Sequence, residues 1–317
     1  MRHMQIISGS SHPALAEAVA KKLGITLNDA RLQHFANGEM KCQLGESARG
    51  ADVFIMQTHS APVNDALMEQ AILIDAAKRA SARHITAVCP LLGYARQDRK
   101  SSGREPITAK LVIDLLTIAG ADRIVSIDLH TGQIQGFFDG PFDHLVAMPV
   151  LTDYLHERYG NNFVLVSPDA GRVKATEKFA GRLGVDIAVI HKSRPKNNEV
   201  EIKLDIMGDV KDKICIINDD MIDTAGTICA ASAQLKKHGA KSVVVVATHG
   251  LFSHPAGERI AASDIDNIIV TDTVPPSDDP NLSHVEVVSI VDLLASAIEA
   301  IFEERSVSAL FDGENQA

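Results

Sequence analysis

The chain has 317 residues, of which 45% are hydrophobic and 23% charged, a composition typical of globular proteins and long enough for about two domains. Its formal net charge of −10 argues against general binding to nucleic acids or to membrane surfaces, so a polyanionic ligand would need a local patch of positive charge. No stretch approaches the roughly 18 apolar residues of a membrane span, no signal-peptide core follows Met1, and the four cysteines lack a C-x-x-C spacing, so we expect a cytoplasmic protein with reduced thiols.

Helical and strand-like patterns alternate along the chain, as in folds built from βαβ units. The predicted elements of the first half are helix 14–23, helix 65–80, strand 85–89, helix 108–119 and strand 123–127. Those of the second half are strand 163–166, helix 173–183, strands 186–190 and 213–217, helix 228–237, strands 242–247 and 267–270, and a final strand and helix after a proline-rich loop at 275–280. We therefore expect two similar α/β domains at residues 1–148 and 149–317, each a mainly parallel sheet flanked by helices. The last helix could pack back on the first domain.

The most informative motif is CIINDDMIDTAGT at residues 215–227. It follows an apolar, β-branched run typical of a buried parallel strand, and the carboxyl ends of such strands are where open α/β sheets bind ligands. The small residues Thr224, Ala225, Gly226 and Thr227 can direct backbone N–H groups at a phosphate on a helix N-terminus, with Gly226 permitting the tight turn. This part of the motif predicts a phosphate loop.

Three carboxylates precede that loop. Asp219, Asp220 and Asp223 can only accept hydrogen bonds when ionised, so they suit a vicinal diol or a hydrated cation rather than a phosphate. A sugar phosphate offers the diol and the phosphate together, and the motif therefore predicts a ribose 5-phosphate site. The alternative is an acidic turn that caps an ordinary helix, which the length of the whole motif disfavours.

A basic loop, YARQDRKSSGR at residues 94–104, follows the strand that ends at Cys89 and carries four cationic side chains against one anionic one. Arginine suits bidentate contact with phosphate, and Gln97 has the paired donor and acceptor that can recognise an adenine edge. We therefore interpret this loop as a candidate nucleotide site, the alternative being a solvated loop.

A second cationic cluster, HKSRPK at residues 191–196, follows strand 186–190 and precedes a candidate hairpin at 200–207. Lys192 and Arg194 are two residues apart and would point the same way in an extended segment. On a mobile loop such a pair could neutralise charge that grows on phosphates in a transition state. His130 and Asp169 also follow apolar strands on the predicted ligand-binding edge, but a lone histidine is more often structural and Mg²⁺ prefers oxygen ligands.

Together these motifs resemble the ribose-phosphate diphosphokinases, or 5-phosphoribosyl 1-diphosphate synthetases, of the phosphate-activated class. The resemblance covers nearly the whole chain and rests on SGSSH at 8–12, FANGE at 35–39, YARQDRK at 94–100, DLH at 128–130, QIQGFF at 133–138, VSPD at 166–169, HKSR at 191–194 and the acidic loop at 219–227. It implies two phosphoribosyltransferase-type domains. It also implies transfer of the diphosphoryl group of Mg-ATP to the C1 hydroxyl of ribose 5-phosphate, giving 5-phosphoribosyl 1-diphosphate and AMP for nucleotide and amino-acid biosynthesis.

The same resemblance implies roles for individual residues. The catalytic loop cations would be Lys192 and Arg194, and Mg²⁺ would be bound by His130 and Asp169. The ATP-binding residues would be Phe35, Asn37, Gly38 and Glu39, contributed by a neighbouring subunit, with Arg96, Gln97 and Arg99. The ribose 5-phosphate residues would be Arg194, Asp219, Asp220, Asp223, Thr224, Ala225, Gly226 and Thr227. Neither the motifs nor the resemblance identifies a general base for the C1 hydroxyl.

The resemblance further implies assembly into homodimers and then homohexamers, activation by phosphate and inhibition by ADP. The candidate allosteric residues are Ser47, Arg49, Ser306, Val307 and Ser308. Nucleic acids and membranes are not expected partners.

The chain departs from the pattern at three positions. Asn218 stands where an apolar residue is usual, Arg172 replaces the second glycine of a common Gly-Gly pair, and Arg99 is often lysine in relatives. Arg172 adds either bulk or a further cation beside the Asp169 loop, and the sequence leaves its effect open.

Two rival interpretations remain. A phosphoribosyltransferase shares the acidic loop but gives no reason for FANGE at 35–39 or for Arg96 and Gln97. A non-catalytic partner of a true synthetase is disfavoured because Lys192 and Arg194 are both intact.

Overall fold

The computed structural model describes residues 3–193 and 203–311 and divides the chain into two compact units. Unit 1 comprises the chain up to Ala147, Thr273–Pro275 and the chain from Ile290 onward. Unit 2 comprises Met148–Asp272 and Pro276–Ser289.

Unit 1 is built on a parallel sheet. Its elements in chain order are β1 (Met4–Ser8), α1 (Pro13–Lys22), β2 (Arg31–His34), β3 (Met40–Gln43), β4 (Asp52–Met56), α2 (Val63–Arg79), β5 (His84–Cys89), α3 (Thr108–Ala119), β6 (Arg123–Ile127) and β7 (Phe142–Leu145). The sheet has the order β1-β4-β5-β6-β7 with every pair parallel, while β2 and β3 form a separate antiparallel hairpin. The central strands are buried and apolar because helices cover both faces of a parallel sheet.

Unit 2 has a second, larger sheet. Its elements are α4 (Met148–Tyr159), β8 (Phe163–Ser167), α5 (Val173–Leu183), β9 (Asp186–Ser193), β10 (Lys203–Met207), β11 (Ile214–Ile222), α6 (Gly226–Lys237), β12 (Ser242–Gly250), α7 (Ala256–Ala261), β13 (Asn267–Thr271) and β14 (Glu286–Val288). The strand order is β10-β9-β8-β11-β12-β13-β14, and among these pairs only the one between β10 and β9 is antiparallel.

The last helix, α8 (Val291–Phe302), belongs to unit 1 and packs against α1, where Lys22 Nζ lies 2.8 Å from Asp292 Oδ1. The predicted fold class, α/β with two mainly parallel sheets flanked by helices, is confirmed. No helix within residues 3–193 or 203–311 is long and apolar enough to cross a membrane. The four cysteines are free, and the cytoplasmic location stays a prediction.

Several elements differ from expectation. Strands β1, β4 and β7, the β2–β3 hairpin and helix α4 were not predicted, and α4 has a weak apolar pattern with only Leu151 and Leu155 buried. Strand β9 runs three residues beyond Ile190, so the backbone of Lys192 is part of a strand and not of the expected loop. The Cα atom of Lys192 pairs with that of Leu204 in β10. The hairpin expected at 200–207 is wrong in its described part, because residues 203–207 form a single strand that pairs with β9, and residues 200–202 lie outside the described residues.

Candidate functional site

Asp219 and Asp220 of unit 2 lie on strand β11, which extends beyond the end of its neighbour β8. Strand β11 pairs with β8 only as far as Ile217, opposite Val166, but it continues along β12 to Ile222. Asp219 and Asp220 therefore belong to the projecting part of β11, whereas the sequence placed them after the end of the strand. Because β8 stops short, this edge of the acidic segment is open to other groups.

Arg172 fills part of that edge. It ends a short 3-10 helix, Ala170–Arg172, between β8 and α5, and its Nη1 lies 3.1 Å from Oδ1 of Asp220. Its buried Nε faces Oδ1 of Asp219 at 3.3 Å without a directed hydrogen bond, so this half of the contact is mainly Coulombic. The departure noted in the sequence is thus a cation on the acidic pair.

The charge state of this pair is finely balanced. Burial raises the pKa of Asp219 to about 7, and the adjacent Asp220 adds to the rise, while the positive charge of Arg172 opposes it. The ion pair with Arg172 is therefore too weak to offset desolvation fully. A carboxyl that titrates near neutrality at a sheet edge is a feature of functional sites.

The phosphate-loop candidate, residues 224–227, follows directly. Ala225 has φ +60° and is the N-cap of α6, and its methyl side chain cannot accept a hydrogen bond from the first N–H groups of the helix. Thr224, Gly226 and Thr227 are exposed around these groups. An anion could therefore bind the N–H groups directly.

Two details of this loop were not foreseen. The left-handed residue of the turn is Ala225, so the expectation that Gly226 permits the turn is wrong, and a Cβ atom at Gly226 would meet Arg259 Nη1 at an ordinary 3.5 Å. Arg259, on α7, donates a hydrogen bond from Nη1 to the Thr224 carbonyl oxygen at 2.9 Å. The sequence analysis did not identify Arg259, because it lies 35 residues after Thr224 in the chain and comes close to the loop only in the folded protein.

Asp169 has a double role at the end of β8. Its Oδ1 accepts hydrogen bonds from the backbone N–H groups of Gly171 at 2.8 Å and Arg172 at 3.2 Å, which orders the turn that carries Arg172.

The two candidate metal ligands differ in exposure: Asp169 is partly exposed, and His130, after β6 in unit 1, is exposed. Among residues 3–193 and 203–311, no group of three or more His, Cys, Asp or Glu side chains could hold a metal ion. A single partly exposed carboxylate such as Asp169 fits Mg²⁺ that arrives with substrate phosphates, since Mg²⁺ is usually held by one or two carboxylates plus phosphates and water.

In unit 1 the basic loop is held in place by Asp98, which lies within it, and by Glu105, which directly follows it. The carboxylate of Glu105 accepts hydrogen bonds from the hydroxyl and backbone N–H groups of both Ser101 and Ser102, and these bonds lower its pKa to about 2. Buried Asp98 accepts hydrogen bonds from the Thr131 hydroxyl at 2.9 Å and from the Gln133 amide. Asp98 thus ties the loop after β5 to the segment that follows His130.

The candidate nucleotide residues of this loop point outward. Arg96, Gln97 and Arg99 are exposed, and the Gln97 side-chain oxygen accepts a hydrogen bond from the Thr108 hydroxyl at 2.6 Å. This bond fixes the orientation of the Gln97 amide at the start of α3.

The FANGE segment forms the tip of the β2–β3 hairpin. The Phe35 N–H donates to the Glu39 carbonyl oxygen at 2.8 Å, and the Glu39 N–H donates to Asn37 Oδ1 at 3.2 Å. Gly38 takes φ +90°, which suits glycine at such a turn. Phe35 is 54% exposed, whereas phenylalanine is among the residue types that are most often buried in folded proteins.

A cavity of about 370 Å³ lies beside this tip. Its lining residues are Phe35, Gly38, Glu39, Met40, Asp65, Met68 and Ile72. An aromatic ring next to a cavity of this size could stack on a planar heterocycle.

The remaining candidates divide by position. Ser47 and Arg49 are exposed neighbours, with the Arg49 N–H donating to Ser47 Oγ at 3.4 Å, and Ser306, Val307 and Ser308 follow α8 in the same unit. The backbone of Lys192 lies in β9, and Arg194 lies outside the described residues. The structure therefore gathers the acidic pair, the phosphate loop and Asp169 around one edge of unit 2.

Two family models match the chain. One, described as the N-terminal domain of ribose phosphate pyrophosphokinase, matches residues 4–120, and the other, described as a phosphoribosyl synthetase-associated domain, matches residues 195–312. The chain is 54% identical over 318 residues to the ribose-phosphate pyrophosphokinase of Bifidobacterium longum, covering 98% of this chain and 93% of that protein. It is 52% identical over 316 residues to the enzyme of the same name from Corynebacterium glutamicum, covering 99% and 97%.

A solved structure agrees with these matches. The crystal structure of phosphoribosylpyrophosphate synthetase from Mycobacterium smegmatis superposes with a TM-score of 0.90 at 50% sequence identity. The match covers 95% of this chain and 99% of that one. Similarity of this extent leaves no large part of the fold unaccounted for.

Proposed function

This chain belongs to the ribose-phosphate pyrophosphokinases and makes phosphoribosyl diphosphate from ATP and ribose 5-phosphate, and from that premise we propose how its own residues perform the reaction. The C1 hydroxyl oxygen forms a bond to the β-phosphorus of ATP, the bond from that phosphorus to the oxygen shared with the α-phosphorus breaks, and AMP leaves with that oxygen. The hydroxyl proton passes to solvent. Little covalent chemistry is needed from the protein, so positioning and charge neutralisation carry most of the catalysis.

Ribose 5-phosphate is assigned to the β11–α6 segment of unit 2. The observation that carries this assignment is the sequence of acceptors followed by donors: the Asp219–Asp220 pair precedes an uncapped helix N-terminus by five residues or more. The carboxylates would accept from the ribose hydroxyls, and the N–H groups at Gly226 and Thr227 would bind the 5-phosphate. Arg259, which holds the Thr224 carbonyl, adds a positive charge beside the phosphate.

ATP is assigned to residues of unit 1. The exposed guanidinium groups of Arg96 and Arg99 would contact its phosphates, and Asp98 and Glu105 keep their loop in place. The adenine would stack on Phe35 at the hairpin tip, with Asn37 and Glu39 offering polar contacts. The family resemblance implies that this tip reaches the nucleotide of a neighbouring subunit.

We expect Phe35→Ala to raise the KM for ATP about tenfold and to leave kcat within about twofold, because stacking of one base on an aromatic side chain is worth about 1–3 kcal/mol. Steady-state kinetics at saturating ribose 5-phosphate measures both constants. His34→Ala is the matched control, since His34 is exposed in the same hairpin and precedes the tip. An unchanged KM for ATP in the Phe35 variant would remove this ring from the nucleotide site.

Magnesium is the proposed cofactor, and the family resemblance implies Asp169 and His130 as its protein contacts. When bound with ATP it neutralises phosphate charge and raises the electrophilicity of the transferred phosphorus. Asp169 would meet this ion while its Oδ1 keeps the turn of Arg172 ordered, so the same side chain serves the metal and the acidic pair.

Self-association is proposed through an apolar face of unit 1. On α3 the side chains of Leu111 and Ile118 are 65% and 77% exposed, and their spacing of seven residues places them on one face of the helix. A face of this kind on a folded unit fits contact with a second copy of the chain.

We expect Leu111→Asp/Ile118→Asp to shift the protein toward smaller assemblies in analytical ultracentrifugation, because buried aspartates at an interface are left without partners. The wild type should sediment as a dimer or larger species. Met207→Asp is the control, since Met207 is 67% exposed in the other unit. If the double variant sediments like the wild type, the α3 face is not the contact.

The reaction and its regulation can be tested together by phosphorus NMR. The protein is incubated with Mg-ATP and ribose 5-phosphate, and AMP is expected in equal amount to a diphosphate attached to ribose C1. ADP with ribose 1,5-bisphosphate would contradict diphosphoryl transfer, and no turnover with ATP still bound would favour the non-catalytic partner.

We propose that the enzyme is of the phosphate-activated class, so added phosphate should raise the rate and ADP should lower it through Ser47, Arg49 and residues 306–308. Indifference to both would exclude that class.

A further inference from the structure

Arg172 forms ion pairs with both aspartates of the acidic pair. It reaches both carboxylates from one side, with Nη1 3.1 Å from Asp220 and Nε 3.3 Å from Asp219, and its backbone N–H is held by Asp169. The side chains of Arg172, Asp219 and Asp220 are 24%, 17% and 7% exposed, so water screens these charges poorly. The guanidinium therefore meets both carboxylates of the pair at once.

Two adjacent carboxylates in such a setting repel each other. Without a cation, one of them takes up a proton at a pH where an isolated carboxyl is ionised. A protonated carboxyl has an O–H that donates, so it no longer offers the same acceptor oxygens to a sugar hydroxyl. A fixed guanidinium opposes this protonation and also limits rotation of the two side chains.

We propose that Arg172 is a positioning residue for the substrate: its guanidinium favours the ionised forms of Asp219 and Asp220 and fixes the orientation of both carboxylates, so that they accept hydrogen bonds from the ribose hydroxyls. The inference rests on the proposed assignment of these aspartates to ribose 5-phosphate. Arg172 has no contact with the reacting atoms in this account, so its removal should act on substrate affinity far more than on turnover.

Within residues 3–193 and 203–311, the charges that act on the Asp219 carboxyl are those of Asp220 and Arg172. Asp220 lies on the same strand and Asp223 directly follows its end, while Asp169 and Arg172 come after β8. Strand β12 places Ala247 opposite Asp219 and His249 opposite Met221. The opposing influences of Asp220 and Arg172 on the pKa of Asp219, which burial raises to about 7, are therefore the main electrostatic ones.

The sign of the effect follows from that balance. Since the acceptor form is the ionised one, affinity for ribose 5-phosphate should rise as pH rises through about 7 in the wild type. Loss of Arg172 removes the influence that lowers the pKa, so the rise in affinity should move to higher pH. The 5-phosphate itself has a second pKa near 6, but its titration affects all variants equally and cancels in a ratio at each pH.

The test is the KM for ribose 5-phosphate of Arg172→Met, relative to wild type, from pH 6.5 to 9. We expect a ratio of about 30 or more at pH 6.5 that falls toward about 3 at pH 9, with kcat changed less than about threefold, because the ionised fraction changes up to tenfold per pH unit. Arg172→Lys should recover most of the affinity at neutral pH. Lys174→Met is the control, since it removes an exposed cation two residues away.

Calorimetric titration of ribose 5-phosphate should show the same order of affinities, and ATP binding confirms that each variant is folded. A KM ratio near one at every pH, or an effect of Arg172→Met that does not vary with pH, would overturn the inference. Asp220→Asn separates this from the underlying assignment. If Asp220→Asn also leaves the KM unchanged, the ribose site itself is misplaced; if it raises the KM while Arg172→Met does not, only the role of Arg172 fails.

Discussion

Lys192→Ala should lower kcat by at least about 10²-fold and change the dissociation constant of ATP by less than about threefold, because a cation that meets the transferred phosphates only in the transition state contributes to rate and not to ground-state binding. The assignment of Lys192 to the transferred phosphates rests on the family resemblance. The backbone of Lys192 lies near the end of β9, where the strand is paired with β10, and Arg194 follows two residues later. Single-turnover kinetics and equilibrium binding of ATP measure the two quantities separately.

The controls for Lys192 separate charge from general destabilisation. Lys192→Arg keeps a positive charge and should retain more activity than alanine. Lys237→Ala removes an exposed lysine at the end of α6 in the same unit and should leave kcat unchanged. Turnover of Lys192→Ala at the wild-type level would exclude Lys192 from the mechanism and would leave Arg194 as the candidate cation.

Chelation of Mg²⁺ should abolish turnover to below about 1% of the starting rate, because a triphosphate chain without its cation repels the incoming hydroxyl oxygen and lacks charge compensation. A chain with a net charge of −10 makes this dependence stronger. Addition of Mg²⁺ in excess of the chelator should restore the rate fully. Assays in EDTA followed by metal titration test both statements.

The structure also predicts how the metal binds. Because the described residues provide no cluster of three or more ligands, free protein should bind Mg²⁺ only weakly, and affinity should appear when ATP is present. Calorimetric titration of Mg²⁺ with and without a non-hydrolysable ATP analogue distinguishes these cases. Asp169→Asn should raise the free Mg²⁺ concentration needed for half-maximal rate about tenfold, since it removes a carboxylate charge from the ion. Tight binding of Mg²⁺ by the protein alone would contradict this account.

Local sequence predicted much of the site because its parts are contiguous. The DDMIDTAGT segment carries its acceptors, its small residues and its helix start within a few residues, so pattern and chemistry could be interpreted together. The same holds for FANGE, which the structure places at a hairpin tip although the hairpin itself was not predicted. Its strands are four residues each and mostly exposed, so they lack the apolar run that marks a buried strand.

Other features depend on contacts between distant segments. Arg172 and Asp219 are separated by a helix and two strands in the chain, and their ion pair exists because β8 and β11 are neighbours in the sheet. Arg259 reaches Thr224 from α7 for a similar reason. The tight turn was assigned to Gly226 because glycine is the usual residue in such turns, whereas the structure has the left-handed conformation at Ala225.

The sequence by itself therefore determined the α/β class, the family and the segments that carry the acidic pair, the phosphate loop and the basic loop. Each of these features depends on short segments whose residue types directly indicate a structure or a kind of binding. Only the tertiary structure decided how far β9 and β11 extend, which cation meets the acidic pair and what the charge state of Asp219 is. Strand length depends on the partner strand, and a pKa depends on burial and on charges brought near by folding, so neither can be obtained from neighbours along the chain.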